Sequence, residues 1–145
     1  AVLNSSVLHY VAKHVFADKE GGFYEVQPVG LLSLPIPQCE DNDKALVVTA
    51  AGALVAGAER PRLEALINAF VYELFFAEEF HAANLRPLAA AREAGLMKLA
   101  DLEGPALARA ADEWSRHLAD PAHPLYATLF ELRSLDAVRI MEGLS

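Results

Sequence analysis

The sequence predicts a mainly α-helical fold, with a small element of one helix and one short strand at the N-terminal end. Three observations support this: apolar residues recur with the period of a helix, prolines stand where helices begin, and strand-like alternation occurs only once. Hydrophobic residues make up 54% of the 145 residues, which is enough for a core and excludes disordered and low-complexity chains. We expect a helical domain of about six helices over residues 38–145, preceded by the smaller element over residues 1–37.

The N-terminal element combines a helix, a turn and a strand. One helical face carries the apolar residues Leu3, Val7, Leu8, Val11 and Val15. Polar residues 4–6 offer side-chain caps for this helix. Residues 18–22 predict a turn, and the alternation over 23–27 predicts a short strand. A single helical turn over 31–36 is expected to stop at Pro35, because proline lacks a backbone donor and restricts the residue before it.

Residues 38–145 show only helical patterns. The clearest begins at Arg60, with one apolar face formed by Leu63, Leu66, Ile67, Phe70, Val71, Leu74 and Phe75. The other predicted helices cover Lys44–Ala56, Pro87–Gly95, a segment starting at Pro105, Leu125–Leu132 and a last helix capped by Ser134 that runs to about Glu142. Asn42 or Asp43 is expected to cap the helix that follows them, and Phe70 to lie at the centre of the core. Tyr72 is expected to form a hydrogen bond at a helix–helix boundary, and Trp114 to be a core residue.

The charge distribution bears on nucleic-acid binding. The net charge is −8, which disfavours a free-standing nucleic-acid binder, because phosphate affinity comes from clustered Lys and Arg. Residues 38–145 carry ten basic and 17 acidic residues, so this part should repel a polyanion. Any contact with DNA phosphates is therefore expected in the first part, at Lys13, His14, Lys19 and Gln27. The alternative is an ordinary solvated face, which composition alone favours.

Cysteine content and hydropathy limit the environment of the chain. A single cysteine, Cys39, excludes an internal disulfide framework and fits a reducing compartment. No apolar run reaches the roughly 20 residues that a membrane span needs, so we predict a cytoplasmic protein without membrane contact. The chain begins at Ala1, without Met and already within an apolar pattern, and we expect it to be a piece of a larger protein.

Common enzyme motifs are missing from the sequence. It contains no Gly-rich phosphate loop, no G-x-S-x-G turn and no H-E-x-x-H helix. The densest ionisable cluster comprises Glu73, Glu78, Glu79 and His81. Glu78 and His81 would be i, i+3 neighbours on a helix and could form a carboxylate–histidine metal pair. A solvated helix end is favoured, because a four-helix metal site needs a second such motif and the sequence has none. We therefore predict no catalytic and no metal-binding residues.

Three separated motifs give the chain a family resemblance. They are L-N-S at residues 3–5, G-G-F-Y-E-V at 21–26 and L-L-S-L-P-I-P at 31–37. In this order they resemble the end of the target-recognition domain of restriction–modification DNA methyltransferases with a TaqI-like C-terminal specificity domain. Residues 63–74 resemble the helix that follows in the same enzymes, so the resemblance covers about residues 2–85.

The resemblance implies the C-terminal part of a type II restriction–modification methyltransferase or restriction enzyme. The implied role is to close the DNA target-recognition domain and to act as a helical spacer or docking element. The Asn-Pro-Pro-Tyr/Phe motif that holds the target adenine is missing, as are an S-adenosylmethionine loop and a nuclease carboxylate–Lys motif. S-adenosylmethionine and magnesium are therefore implied for the parent enzyme and no cofactor for this chain. The implied partners are DNA, through the parent, and other domains of the same polypeptide.

Two other hypotheses remain open at this point. One is a helical protein–protein interaction or dimerisation module, in which a homodimer would bury the face from Leu63 to Phe75. The other is a small metal hydrolase built around Glu78 and His81.

Overall fold

The structure is a computed structural model that describes residues 2–16, 18–19, 23–24 and 32–144. In these ranges the α-helices are α1 (Ser6–Val15), α2 (Asp41–Ala56), α3 (Arg60–Phe75), α4 (Ala77–Ala82), α5 (Pro87–Glu93), α6 (Gly104–His117), α7 (Pro124–Glu131) and α8 (Asp136–Met141). Short 3₁₀ turns cover Val2–Asn4, Leu96–Asp101 and Leu132–Ser134. The predicted mainly α fold is confirmed.

The strand content of the described residues is small. Strands β1 (Asp18–Lys19) and β2 (Phe23–Tyr24) pair antiparallel, with Asp18 opposite Tyr24 and Lys19 opposite Phe23. Residues 25–31 lie outside the described ranges, so the predicted strand over 23–27 stays a prediction beyond its first two positions. Of the helical turn predicted over 31–36, the described part is helical at Leu32, a turn at Ser33 and a bend at Leu34. Residues 35–40 then lead into α2 without regular structure.

Helix α2 begins earlier than the sequence indicated. It starts at Asp41, and the N-cap residue is Glu40, whose side chain makes no capping hydrogen bond. The predicted caps, Asn42 and Asp43, are therefore wrong, since both lie inside the first turn. Asp41 and Asp43 lie in the first turn, next to the positive end of the helix dipole. Their negative charges stabilise this end of the helix, although no side chain caps it. The helix ends before Gly57, as predicted.

The end of α2 is fixed against α6 by close packing and hydrogen bonds. A Cβ atom on Gly57 would lie only 3.0 Å from Oδ1 of Asp112 and 3.1 Å from Cβ of Ala111, so a larger residue would require these neighbours on α6 to shift. The same oxygen accepts hydrogen bonds from the backbone N–H groups of Ala58 (2.8 Å) and Glu59 (3.1 Å). One carboxylate thus satisfies two donors in the turn that leads into α3.

Helix α3 lies at the centre of the molecule, because it contributes to both hydrophobic clusters. The first cluster joins it to α2, α5, α6 and α7, and its fully buried members include Leu46, Ala50, Leu63, Leu66, Phe70, Ala91, Leu96, Ala111 and Leu125. The core position predicted for Phe70 is confirmed. Because Leu63, Leu66 and Phe70 are buried within the chain, the face of α3 proposed for dimerisation is not available to a second copy.

The second cluster attaches α1 to the helices that follow. Its buried members are Val7, Leu8, Ala69, Val71, Tyr72, Phe80, Leu85, Leu132, Leu135 and Val138. The N-terminal helix therefore shares a core with α3, α4 and α8. The predicted division of the chain at residue 37 remains a prediction, and α1 packs across it.

Several boundaries in the C-terminal half differ from the predictions. Residues 78–81, expected at the end of the helix that starts at Arg60, lie in the separate helix α4. Helix α5 ends at Glu93, two residues before Gly95, whose φ of 87° is left-handed. Helix α8 begins after Leu135, so Ser134 is not its cap. The Ser134 hydroxyl instead donates to the carbonyl of Glu131 at 2.7 Å. Trp114 is partly buried, and its ring and that of His123 are T-shaped, with 5.6 Å between centroids. No helix in the described ranges combines the length and apolarity that crossing a membrane requires.

Candidate functional site

The start of α1 is fixed by the polar residues that the sequence indicated as caps. Oγ of Ser5 accepts from the backbone N–H of Leu8 at 3.4 Å, and its hydroxyl donates to the carbonyl of Val2 at 2.7 Å. A serine in this position satisfies a backbone donor that has no partner within the helix. Because the first residue of α1 is fixed, the face of the helix on which Lys13 and His14 lie is fixed as well.

Helix α1 is docked on α3 by apolar and polar contacts. Val7 and Leu8 are almost fully buried in the second cluster. Beside them, the backbone N–H of Ser6 donates to Oδ1 of Asn68 on α3 at 3.2 Å. Helix α1 is therefore packed directly on α3.

The structure places two of the four predicted DNA-contact residues. Lys13 and His14 are exposed in the last turn of α1. Nδ1 of His14 donates to the Tyr10 carbonyl at 2.8 Å, so this nitrogen carries the proton and Nε2 is left for other partners. Lys19 lies in β1, where the structure describes only its backbone, and Gln27 lies outside the described residues. Basic residues in a last turn also complement the negative end of the helix dipole.

Lys13 also lines an open polar groove of about 740 Å³ between α1 and the C-terminal end of the chain. His9 and Arg133 line the same groove, and Glu142 is its acidic side chain. His9 lies one helical turn before Lys13, so spacing alone could have found it. Arg133 is distant in sequence and reaches the groove only through the packing of α1 on α8. This arrangement gathers Lys13, Arg133 and the imidazole of His9 on one surface of an acidic protein, with Glu142 paired to Arg133.

A second polar cluster surrounds Glu73, which was predicted to lie on a solvated helix end. That prediction is wrong, because its side chain is only 7% exposed. Oε2 accepts from the backbone N–H of Leu88 at 2.8 Å, which satisfies a free donor at the start of α5. Oε1 lies 3.1 Å from Nε2 of His81. The carboxylate therefore joins three helices, α3, α4 and α5.

The metal-site hypothesis finds no support in this cluster. His81 contacts Glu73 and not Glu78. Oε1 of Glu79 accepts from the backbone N–H of Ala137 at 3.3 Å, which ties α4 to α8. In the described part of the chain, no three His, Cys, Asp or Glu side chains are arranged to hold a metal ion. These acidic residues act in the packing of helices.

Tyr72 occupies a buried position where α1, α3 and the C-terminal segment meet. Its OH group donates to Oε1 of Glu142 over a long 3.5 Å contact, which confirms the predicted hydrogen bond at a helix boundary. Burial raises the pKa of Tyr72, a hydrogen bond from Ser6 lowers it, and the Glu142 carboxylate raises it. The net shift is upward, so the phenol is neutral at physiological pH and can donate a hydrogen bond.

No family model, no curated protein and no solved structure matches this chain at a significant level. The candidate functional surfaces are therefore described by the chain's own geometry: the groove with Lys13 and the docking of α1 on α3.

Proposed function

We propose that the chain is the C-terminal part of a type II restriction–modification DNA methyltransferase. In this role it closes the DNA target-recognition domain and acts as a helical spacer or docking element, without an active site of its own. The observation that carries the proposal is the packing of α1 on α3 through Val7, Leu8 and the hydrogen bond from Ser6 to Asn68. These two helices belong to the segments that resemble consecutive parts of such enzymes.

The open polar groove with Lys13 suggests which surface of the chain would face DNA. Lys13, His9 and Arg133 lie on one open surface, whereas the chain as a whole is acidic. Such a surface would contact phosphates and help to orient the parent enzyme, but phosphate contacts carry no base information. Base reading would lie in the rest of the recognition domain. In this proposal S-adenosylmethionine and magnesium serve the parent enzyme, and the protein works in the cytoplasm.

The isolated chain is expected to show no methylation and no cleavage of DNA. The reason is that the motifs for adenine binding, S-adenosylmethionine binding and nuclease chemistry are missing from its sequence. The measurement is transfer of labelled methyl groups to plasmid DNA, and nicking of that DNA, with S-adenosylmethionine and magnesium present. Turnover above background would contradict a purely structural role.

The isolated chain is also expected to bind duplex DNA weakly, because its net charge is −8 and few counterions would be released. Replacing both Lys13 and Lys19 with Ala should flatten the salt dependence of whatever binding remains, by roughly one unit of slope per lost phosphate contact. Fluorescence anisotropy on a mixed-sequence duplex at two salt concentrations measures this.

Arg60→Ala is the matched control for that titration, since Arg60 is exposed at the start of α3 and does not line the groove. It should leave the slope unchanged. Sub-micromolar affinity near physiological salt would show that the chain is an independent DNA-binding domain and would overturn this part of the proposal.

The second candidate function is a dimerisation module. The surface that favours it lies on α2, not on the face of α3 from Leu63 to Phe75. Val48 and Val55 are 62% and 77% exposed, and their spacing of seven residues places them on one face of α2. Light scattering separates the two candidates. A stable dimer that Val55→Glu dissociates supports the module, whereas a monomer at high concentration supports the proposed role as a part of a larger polypeptide.

A further inference from the structure

A cavity of about 560 Å³ lies between α3, α7 and the C-terminal segment. Its volume falls in the range of small-molecule sites, which in helical proteins often lie between helices. Ala65, Leu118 and Leu129 give it an apolar floor. It is distinct from the groove that contains Lys13, although Arg133 and Glu142 line both.

Two aromatic side chains border this cavity. Tyr126 and Phe130 are four residues apart on α7, so they lie next to each other on one helix face. Both are exposed, and Phe130 is 76% exposed. A large aromatic ring left in water beside a cavity is a surface on which a planar group can stack.

Two guanidinium groups line the same cavity. Within the described part of the chain, Arg62 forms no hydrogen bond and no ion pair. Arg133 forms an ion pair with Glu142, in which Nε and Oε2 are 3.6 Å apart, too far for a hydrogen bond. Both arginines can therefore still offer paired N–H donors to an oxyanion, which guanidinium groups bind in a bidentate manner.

The phenol of Tyr72 adds a neutral hydroxyl to the lining of the cavity, and its oxygen can accept a hydrogen bond while its proton is directed at Glu142. It belongs to the buried residues of α3, and its contact with Glu142 is long at 3.5 Å. The cavity thus combines an apolar floor, exposed rings, two cations, one neutral hydroxyl and the Glu142 carboxylate beside Arg133, so that Arg62 is the cation without an ion pair in the described part of the chain. This combination matches a ligand that joins a planar ring to an oxyanion.

We propose that this cavity binds a nucleotide, whose base stacks on Phe130 and Tyr126 while its phosphate pairs with Arg62 and Arg133. The proposal does not depend on the proposed function, because it uses only the lining of the cavity. A free mononucleotide and an unstacked nucleotide within a single strand share this chemistry, and the experiment below distinguishes them.

The test titrates the whole chain with AMP and with two matched probes, adenosine and inorganic phosphate, by isothermal calorimetry or by protein chemical shifts. AMP should bind at least about tenfold more tightly than either probe, since only AMP uses both the rings and the arginines. Equal affinity for AMP and adenosine, or no detectable binding of AMP and of a single strand at millimolar concentration, would overturn the proposal.

Variants locate the binding site. Arg62→Ala and Phe130→Ala should each weaken AMP binding about tenfold. Both residues are exposed, so circular dichroism should show an intact fold. Arg109→Ala, at an exposed position of α6 outside the cavity lining, is the matched control and should bind like the unmodified chain. Unchanged AMP affinity in both cavity variants would refute the site.

A short single-stranded oligonucleotide identifies the source of the nucleotide. If it binds more tightly than AMP and loses affinity in the same two variants, the ligand is a nucleotide within a strand. If it binds no more tightly than AMP, the ligand is a free mononucleotide. Both results support the site, provided that Arg62→Ala weakens binding.

Discussion

Phe70→Ala is expected to lower the free energy of unfolding by about 3–5 kcal/mol, the range for removing a buried aromatic ring. The ring is fully buried in the first cluster, where α3 packs against α2 and α5. Its removal would leave a cavity among neighbours that are themselves tightly packed, and the stability of a domain of this size is only about 5–15 kcal/mol. Urea unfolding followed by circular dichroism measures the loss.

Phe130→Ala is the matched control for this prediction, because it removes the same ring from a position that is mostly exposed. Its cost should be about 0.5 kcal/mol or less. A loss below about 1 kcal/mol for Phe70→Ala would mean that the central face of α3 is not packed as described.

Glu73→Ala should lower the free energy of unfolding by about 2–3 kcal/mol, since it removes buried hydrogen bonds to a charged group. The backbone N–H of Leu88 would lose its acceptor at the start of α5, and His81 would lose its partner. The same unfolding experiment measures this change.

Two further variants separate the contributions of the two Glu73 contacts. Glu73→Gln keeps an acceptor for the Leu88 N–H but loses the charge, so it should cost less than Glu73→Ala. His81→Ala should cost about 1 kcal/mol or less, because the His81 side chain is 40% exposed. If His81→Ala costs as much as Glu73→Ala, the hydrogen bond to His81 and not the contact with α5 is the stabilising element.

Much of the fold could be predicted from the sequence because helices with a buried face carry their own periodicity. The apolar spacing over 63–75 defined α3 and its central residue Phe70, and Pro61 marked its start. Such signals are local, and they reflect contacts that all lie on one side of a helix. The predicted first residues of α2 and α8 were wrong, and neither helix start has a side-chain cap. Helix α2 begins at Asp41 without a side-chain cap and with two acidic residues in its first turn. The serine expected to cap α8 donates instead to the Glu131 carbonyl.

Features that depend on the path of the chain could not be predicted. The backbone bends at Phe76, between α3 and α4, and this bend brings His81 back to Glu73 eight residues earlier. No single helix repeat places residues eight apart in contact in this way. The burial of Glu73 has the same origin, because its neighbours come from α4 and α5.

Part of the candidate site could be predicted from local sequence patterns, and the rest depends on how the helices pack. The exposure of Lys13 and His14 could be predicted from the amphipathic pattern of α1, and His9 follows from helical spacing. Arg133 joins Lys13 only because α8 packs against α1, which no local pattern reveals. The side chains of Lys19 and Gln27 lie outside what the structure describes, so their part in DNA contact stays a prediction.

Sequencing the reading frame upstream of Ala1 tests the central claim most directly. If the chain closes the recognition domain of a restriction–modification methyltransferase, the same frame must encode an S-adenosylmethionine loop and an Asn-Pro-Pro-Tyr/Phe motif before it. We expect both motifs, followed by a recognition domain that runs without a stop codon into Leu3 and Asn4. An upstream frame that contains neither motif would contradict the account.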